Sequence, residues 1–398
     1  MIAVYLAPFY ALLQFVGMLL VLFWIHHIAP ATKNKIFNII FAVVFMFCSL
    51  SMGVGFFMDP GKLQHALNFL GNCWLAITLY GFMVLVPALI LYTIIKIVKK
   101  WKKGTPEWSR LYTWTGWICL LLVAMLCTVG FVNARIIRTT DYQVAVDKDG
   151  GDLDELNMVL ISDMHMGYNV GTNMVQKMVD AINACNADVV VIAGDIFDNE
   201  YDALDDPDAL IDILSGIQSK YGVYAVYGNH DVDEKILCGF TFDRDEDTEK
   251  VSDERMDAFL EKAGITLLRD ETVLIDDSFY IFGRPDMERP GRDITVRKTV
   301  AEELDGLDTE KPIIVLDHEP NEIHEAAEAG ADLYLCGHVH DGQTFPLNII
   351  QKFLWENPCG YLQVDQMHNI VTSGAGIWGP AIRLGTRAEI CNITVTFK

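Results

Sequence analysis

Acidic side chains are almost missing from the first third of this 398-residue chain. Positions 1–138 hold two, Asp59 and Glu107, against eleven Lys and Arg. Such a shortage excludes an ordinary water-facing surface there. Asp, Glu, Lys, Arg and His are absent from the interiors of four apolar stretches, at roughly 3–28, 36–58, 66–95 and 113–134; His26 and His27 stand at the end of the first. Each stretch reaches the roughly 20 residues that cross a bilayer as a helix. Transport or proton relay would need ionisable groups inside the membrane, so the reading is an anchor. The first stretch has no cationic segment ahead of it and three more spans behind it, which excludes a cleaved signal peptide. No Cys-x-x-Cys occurs. Of nine cysteines, Cys48, Cys73, Cys119 and Cys127 lie in the apolar stretches. The other five (Cys185, Cys238, Cys336, Cys359 and Cys391) are an odd number, which does not indicate a disulfide framework. They read as small buried apolar residues.

Loop charge orients the spans. Lys33 and Lys35 follow the first, and Lys96, Lys99, Lys100, Lys102, Lys103 and Arg110 lie between the third and fourth, eight cations against the single acid Glu107. Cation-rich loops stay in the cytoplasm. Everything after residue 135 is therefore expected outside it, in a multi-pass protein of the cell membrane. The part beyond residue 138 is of opposite character, with 19 Lys and Arg against 51 Asp and Glu, or −32. A field of that sign repels phosphates, which disfavours nucleic acid as a partner. The expected division is 1–138, a four-helix transmembrane anchor, and 139–398, a water-soluble domain.

No internal repeat or low-complexity segment interrupts that domain, and strand and helix patterns alternate along it. Strands are expected at 142–146, 157–163, 187–195, 222–230, 313–317, 331–336, 370–372 and 389–397, with a β pair at 265–275 and 279–282. Helices are expected at 172–186, 206–219, 253–263, 296–304 and 321–329. This is an α/β pattern with β-rich additions. The acidic stretch 243–257 reads as a solvated loop running into a helix. The apolar run 349–355 reads as local packing, with a lipid-facing surface as the alternative.

Five of these strands end in ligand chemistry: Asp163 and His165; Gly194-Asp195-Ile-Phe-Asp198; Gly228-Asn229-His230-Asp231; Asp317-His318-Glu319; and Gly337-His338-Val-His340. Five of the ten histidines stand at these places. Carboxylate, imidazole and amide oxygen without thiolate suit Mn²⁺, Fe²⁺ or Zn²⁺ rather than a structural cysteine site. Seven donors are too many for one ion and suit two that share a carboxylate. Two ions ~3.5–4 Å apart can clamp a phosphoryl group and make a bridging water into hydroxide near neutral pH.

In order and content these motifs resemble the calcineurin-like metallophosphoesterases, over about residues 140–398. The closing part, Gly374-Ala-Gly-Ile-Trp-Gly-Pro-Ala-Ile-Arg383, is similar to the branch of membrane-associated bacterial enzymes of the YkuE/YaeI type, although Asp341 replaces the first glycine of that branch's His-x-His-Gly-Gly-Gln. The resemblance implies a four-layered α-β-β-α sandwich with two divalent metals. Asp163, His165 and His340 would hold the first, Asn229, His318 and His338 the second, and Asp195 would bridge them. His230 would face the substrate, stabilising the transition state or protonating the leaving oxygen. A neighbouring carboxylate would orient it, Asp198 in preference to Asp231. Tyr168, Asn169 and Arg383 could contact substrate, but structural roles are preferred.

The expected protein is a membrane-anchored hydrolase of phosphomono- or phosphodiesters, acting on an envelope- or lipid-associated substrate. Its rival is a non-catalytic membrane sensor that uses the same domain to bind a ligand.

Overall fold

In a computed structural model, residues 2–237, 240–241 and 251–398 are described. Cys238 and positions 243–250 of the acidic stretch lie outside them. The chain divides into two compact units, one built on the N-terminal helices and one beginning at Asn133.

Four long helices make up the first: α1 (Ile2–Ile28), α2 (Lys35–Phe56), α3 (Lys62–Val98) and α4 (Pro106–Asn133). All four are long and apolar enough to cross a membrane. Asn34 starts α2 by accepting from the Phe37 amide, which satisfies one of the free N–H groups of the first turn. Hydrophobicity does not hold helices together in lipid, so close approach and polar contacts must. Both are present. A Cβ at Gly71 of α3 would come within 2.8 Å of the Met52 backbone nitrogen on α2. Gln14 of α1 donates to Thr78 Oγ1 at 2.9 Å and accepts from Trp74 Nε1 at 3.0 Å.

The second unit carries two six-stranded sheets. Its elements are β1 (Ile137–Ala145), β2 (Glu155–Ile161), α5 (Thr172–Ala184), β3 (Val189–Ala193), α6 (Pro207–Leu214) and β4 (Val223–Val226). Next in the chain comes a two-residue ladder that groups with the first unit, β5 (Ile236–Leu237) and β6 (Phe240–Thr241). Then come α7 (Glu254–Lys262), β7 (Ile265–Leu267), β8 (Glu271–Ile275), β9 (Phe279–Gly283), α8 (Val300–Leu304), β10 (Ile313–Leu316), α9 (Ile323–Ala329), β11 (Leu333–Cys336), α10 (Leu347–Leu354), β12 (Gly360–Val364), β13 (Met367–Val371) and β14 (Ala388–Thr396). One sheet runs β1-β14-β2-β3-β4-β7 and the other β12-β13-β11-β10-β9-β8.

Both faces of the central strands are covered, which is why they read as unbroken apolar runs. Leu156, Met158 and Leu160 of β2 share one core with Val189 and Val191 of β3 and with Ile314, Leu316, Leu333 and Leu335 of the other sheet. The intervening Val159, Ile161, Val190 and Ile192 pack instead with Met174, Val175 and Met178 of α5, Leu210 of α6 and Phe259 of α7. Ile313, Val315, Tyr334 and Cys336 pack with Val300 of α8 and Ile323 of α9. Each such aliphatic side chain, fully buried, stabilises the fold by roughly 1.5–3 kcal/mol.

Three departures from the sequence expectations concern the two sheets and their covering helices. The stretch 265–275 is two strands in different sheets: the chain leaves the first after β7, where the Leu268 amide still bonds Ala225 O, and turns at Asp270 in a left-handed conformation (φ 55°). The helix expected from 296 starts at Val300, because Thr299 and Glu302 form a reciprocal capping box. The strand β12 was not expected; half-exposed along its length at a sheet edge, it lacks an apolar run to announce it.

Candidate metal centre

The parallel ladders β2–β3, β3–β4 and β10–β11 bring the carboxyl ends of these strands to one side of their sheets, where α/β proteins bind ligands. The loops there turn at once. Asp163 (φ 52°), His165 (45°), Asp195 (50°), His338 (70°) and His340 (55°) all hold left-handed conformations. That costs a non-glycine residue about 1–2 kcal/mol. Strain of this kind concentrates at functional sites, where the surrounding structure enforces it. Asp341 is left-handed too (φ 49°).

Seven donor residues converge. His165 Nε2 lies 3.0 Å from His340 Nε2 and 3.5 Å from Asp195 Oδ2, and His340 Nε2 is 3.3 Å from Asp163 Oδ1. On the other side His318 Nε2 is 3.2 Å from Asp195 Oδ2 and 3.1 Å from Asn229 Oδ1, which is itself 3.0 Å from His338 Nδ1. Asp163, His165, Asp195 and His340 form one group whose ligand atoms could surround an ion; Asp195, His318 and His338 form a second. Asp195 belongs to both. It is 1% exposed, and its other oxygen accepts from the His230 amide at 2.8 Å.

Electrostatics test whether cations fit. Burial pushes the Asp163 carboxyl up to about 6, with Asp195 adding repulsion that His318 and His165 only partly offset. Burial also opposes charge on Asp195, but His318, His230 and His165 outweigh it and hold that carboxyl well below the ordinary range. His318 is driven well above its ordinary value, because Asp195, Asp163 and Asp286 overcome its desolvation. These carboxylates thus demand positive charge, which a proton on His318 supplies in the bare protein. Divalent ions satisfy the same demand and release protons as they bind. His318 is prepared for that: its Nδ1 donates to Ala193 O at 2.8 Å, leaving Nε2 facing the cluster. The donor set fits two cations. His340 is the least prepared member, since Arg383 Nη2, a donor only, lies 3.2 Å from its Nδ1. That contact would have to loosen for Nε2 to act as a neutral ligand.

His230 stands beside this set, its ring centroid 5.0 Å from that of His165. Its orienting partner is not the one expected. Nδ1 meets Asn199 Oδ1 at 2.6 Å, whereas Asp198 Oδ1 is 3.9 Å away. The Asn199 amide nitrogen is used on Val232 O, so its oxygen accepts and Nδ1 of His230 carries the proton. Asp198 instead faces His165 Nδ1 at 3.4 Å. Asp231 is consumed by the loop, accepting from the Phe197 and Gly228 amides. Asn199 directly follows the motif, and its amide was the one signal of its role.

Other nearby groups are structural. Asp317 is tied to Arg284, Arg297, Tyr334 and the His318 amide, while Glu319 Oε1 lies 3.8 Å from His338 Nε2, so of the fourth strand end His318 alone joins the donor groups. Arg383 is buried and donates to Gly376 O and Arg387 O, bracing the loop behind His340. Tyr168 Oη lies 3.5 Å from Glu200 Oε2. The sequence reading passed over Arg289, whose Nη1 donates to the Asn229 carbonyl at 2.7 Å, and the buried Asp286.

Comparison with known proteins agrees with the geometry. Residues 156–342 match the family model for calcineurin-like phosphoesterase. A transmembrane protein with metallophosphoesterase domain from Danio rerio is 32% identical over 287 residues, covering 70% of this chain and 62% of that protein. The Bos taurus protein of the same description is 30% identical over 294 residues, covering 69% and 61%. An uncharacterized metallophosphoesterase of Helicobacter pylori is 28% identical over 278 residues, covering 68% and 66%. The chain therefore spans less than two thirds of the length of these curated relatives. With donors of this kind at these strand ends, the chain carries a calcineurin-like phosphoesterase domain, matched over residues 156–342.

Proposed function

We propose that this protein is a membrane-anchored, metal-dependent phosphoric ester hydrolase working with two divalent cations. The observation that carries the reading is Asp195, buried and common to two groups of donors. Asp163, His165, Asp195 and His340 would hold one ion; Asn229, His318 and His338, with Asp195, would hold the other. When bound, such ions supply the positive charge that phosphoryl transfer needs. Mn²⁺, Fe²⁺ and Zn²⁺ suit these oxygen and nitrogen donors.

The remaining chemistry belongs to the chain. Asn199 holds the Nδ1–H of His230 and turns Nε2 toward the substrate. Burial lowers the His230 pKa to about 4, so the ring is neutral at rest. A phosphoryl anion beside it favours its charged form, which then stabilises the added negative charge or protonates the leaving oxygen. Asp198 steadies His165 from behind. Purified full-length protein in detergent with Mn²⁺ is expected to hydrolyse bis-p-nitrophenyl phosphate or p-nitrophenyl phosphate, to stop on chelation and to recover when metal is restored. A protein inert with Mn²⁺, Fe²⁺ and Zn²⁺ on both esters would favour the sensor.

The eight cations of the first and third inter-helix loops support placing the hydrolase domain on the extracytoplasmic side. Protease added to intact cells is then expected to remove the domain; full protection until the membrane is broken would reverse the orientation. The linker from α4 to β1, residues 134–136, keeps the domain close to the bilayer and supports an envelope- or lipid-associated phosphoester as its substrate.

A further inference from the structure

The helix α10 is amphipathic the wrong way round for water. At 100° per residue, Leu347, Ile349, Ile350, Phe353 and Leu354 fall on one arc, and Asn348, Gln351 and Lys352 on the other. A surface helix in a water-soluble domain turns its apolar arc inward. Here the arc points out: Phe353 is 84% exposed, Leu354 70%, Ile349 48%, Ile350 45% and Leu347 43%, and no residue of the helix is buried. The polar side is turned to the protein, where Asn348 Nδ2 donates to Gly385 O and the Gln351 side-chain oxygen is buried. The local packing expected for 349–355 is therefore not what this segment does.

We propose that the apolar arc of α10 is seated in the interface of the bilayer that α1–α4 cross. Two observations choose lipid as the occupant. Only residues 134–136 separate the last spanning helix from the first strand of the domain, so a membrane surface is always within reach. The arc itself carries no charge, and the exposed Lys352 stands on the polar side beside it, as cationic side chains do on interfacial helices. A helix of this pattern lies in the interfacial plane with its apolar face buried about 5–10 Å. The seat adjoins the site: the Trp355 ring centroid is 5.4 Å from that of His338. Docking therefore holds the metal centre beside the headgroup layer.

The test is photocross-linking of the full-length protein reconstituted in phosphatidylcholine vesicles. It does not depend on turnover, so its outcome is separate from that of the hydrolase reading. Phe353→benzoylphenylalanine and, in a second variant, Ile350→benzoylphenylalanine are expected to form lipid adducts on irradiation. The yield should be at least tenfold above that of Asp212→benzoylphenylalanine on the acidic exposed side of α6. Folding of each variant is checked by near-UV circular dichroism. Adduct yields at 353 and 350 no higher than at 212 would overturn the proposal. So would capture of a second protein chain in place of lipid.

Discussion

Asp195→Asn is expected to lower turnover by on the order of 10³-fold or more and to remove at least one of two bound metal equivalents, measured by steady-state kinetics and by mass-spectrometric metal analysis. The substitution isolates charge from shape. An asparagine oxygen can still accept from the His230 amide, the 2.8 Å bond that positions the carboxylate now. What vanishes is the negative charge 3.2 Å from His318 Nε2 and 3.5 Å from His165 Nε2. With it goes the one oxygen donor that both groups share. In the bare protein the same change removes the largest support for a proton on His318. Two full metal equivalents with a tenth or more of wild-type activity in the variant would show that Asp195 does not join the two ions.

His230→Ala should behave differently, lowering kcat by about 10²–10⁴-fold, the usual contribution of a positioned acid or base, with metal content unchanged. The contrast follows from the wiring of the two histidines. His165 faces the donors directly, while His230 is held off by a 2.6 Å bond to Asn199. Asn199→Leu would free the ring to take the other tautomer and is expected to cost a smaller part of the same kcat. Asp198→Asn acts through His165 and should show first as weaker metal retention. Reversal of the last two phenotypes, with Asp198→Asn mimicking His230→Ala at full metal occupancy, would return the orienting role to the carboxylate.

Much of this was legible in the chain. Apolar runs of spanning length announce α1–α4 because lipid asks only for length and hydrophobicity. Strand ends carrying Asp, Asn and His are conspicuous because such groups rarely follow a buried run without a purpose. Other features were not legible. Nothing local in 265–275 says that the chain changes sheets at Leu268, since both halves have strand-forming composition and the partners differ only in space. Asn199 against Asp198 was a choice between adjacent residues, and the turn, with Asn199 itself left-handed at φ 64°, decides which one reaches His230.

By itself the amino-acid sequence determined the donor types, the strand ends that bear them and the division between lipid-soluble and acidic parts, because each is a property of a short contiguous window. Tertiary structure alone decided that residues 163, 195, 318 and 338 meet, that one carboxylate serves both halves of the cluster, and that α10 turns its greasy side outward. Those outcomes depend on which strands pair and what covers a face. Contacts between segments well separated in the chain set both, from the β2–β3 pairing to the Asn348–Gly385 bond under α10, and no local pattern encodes them.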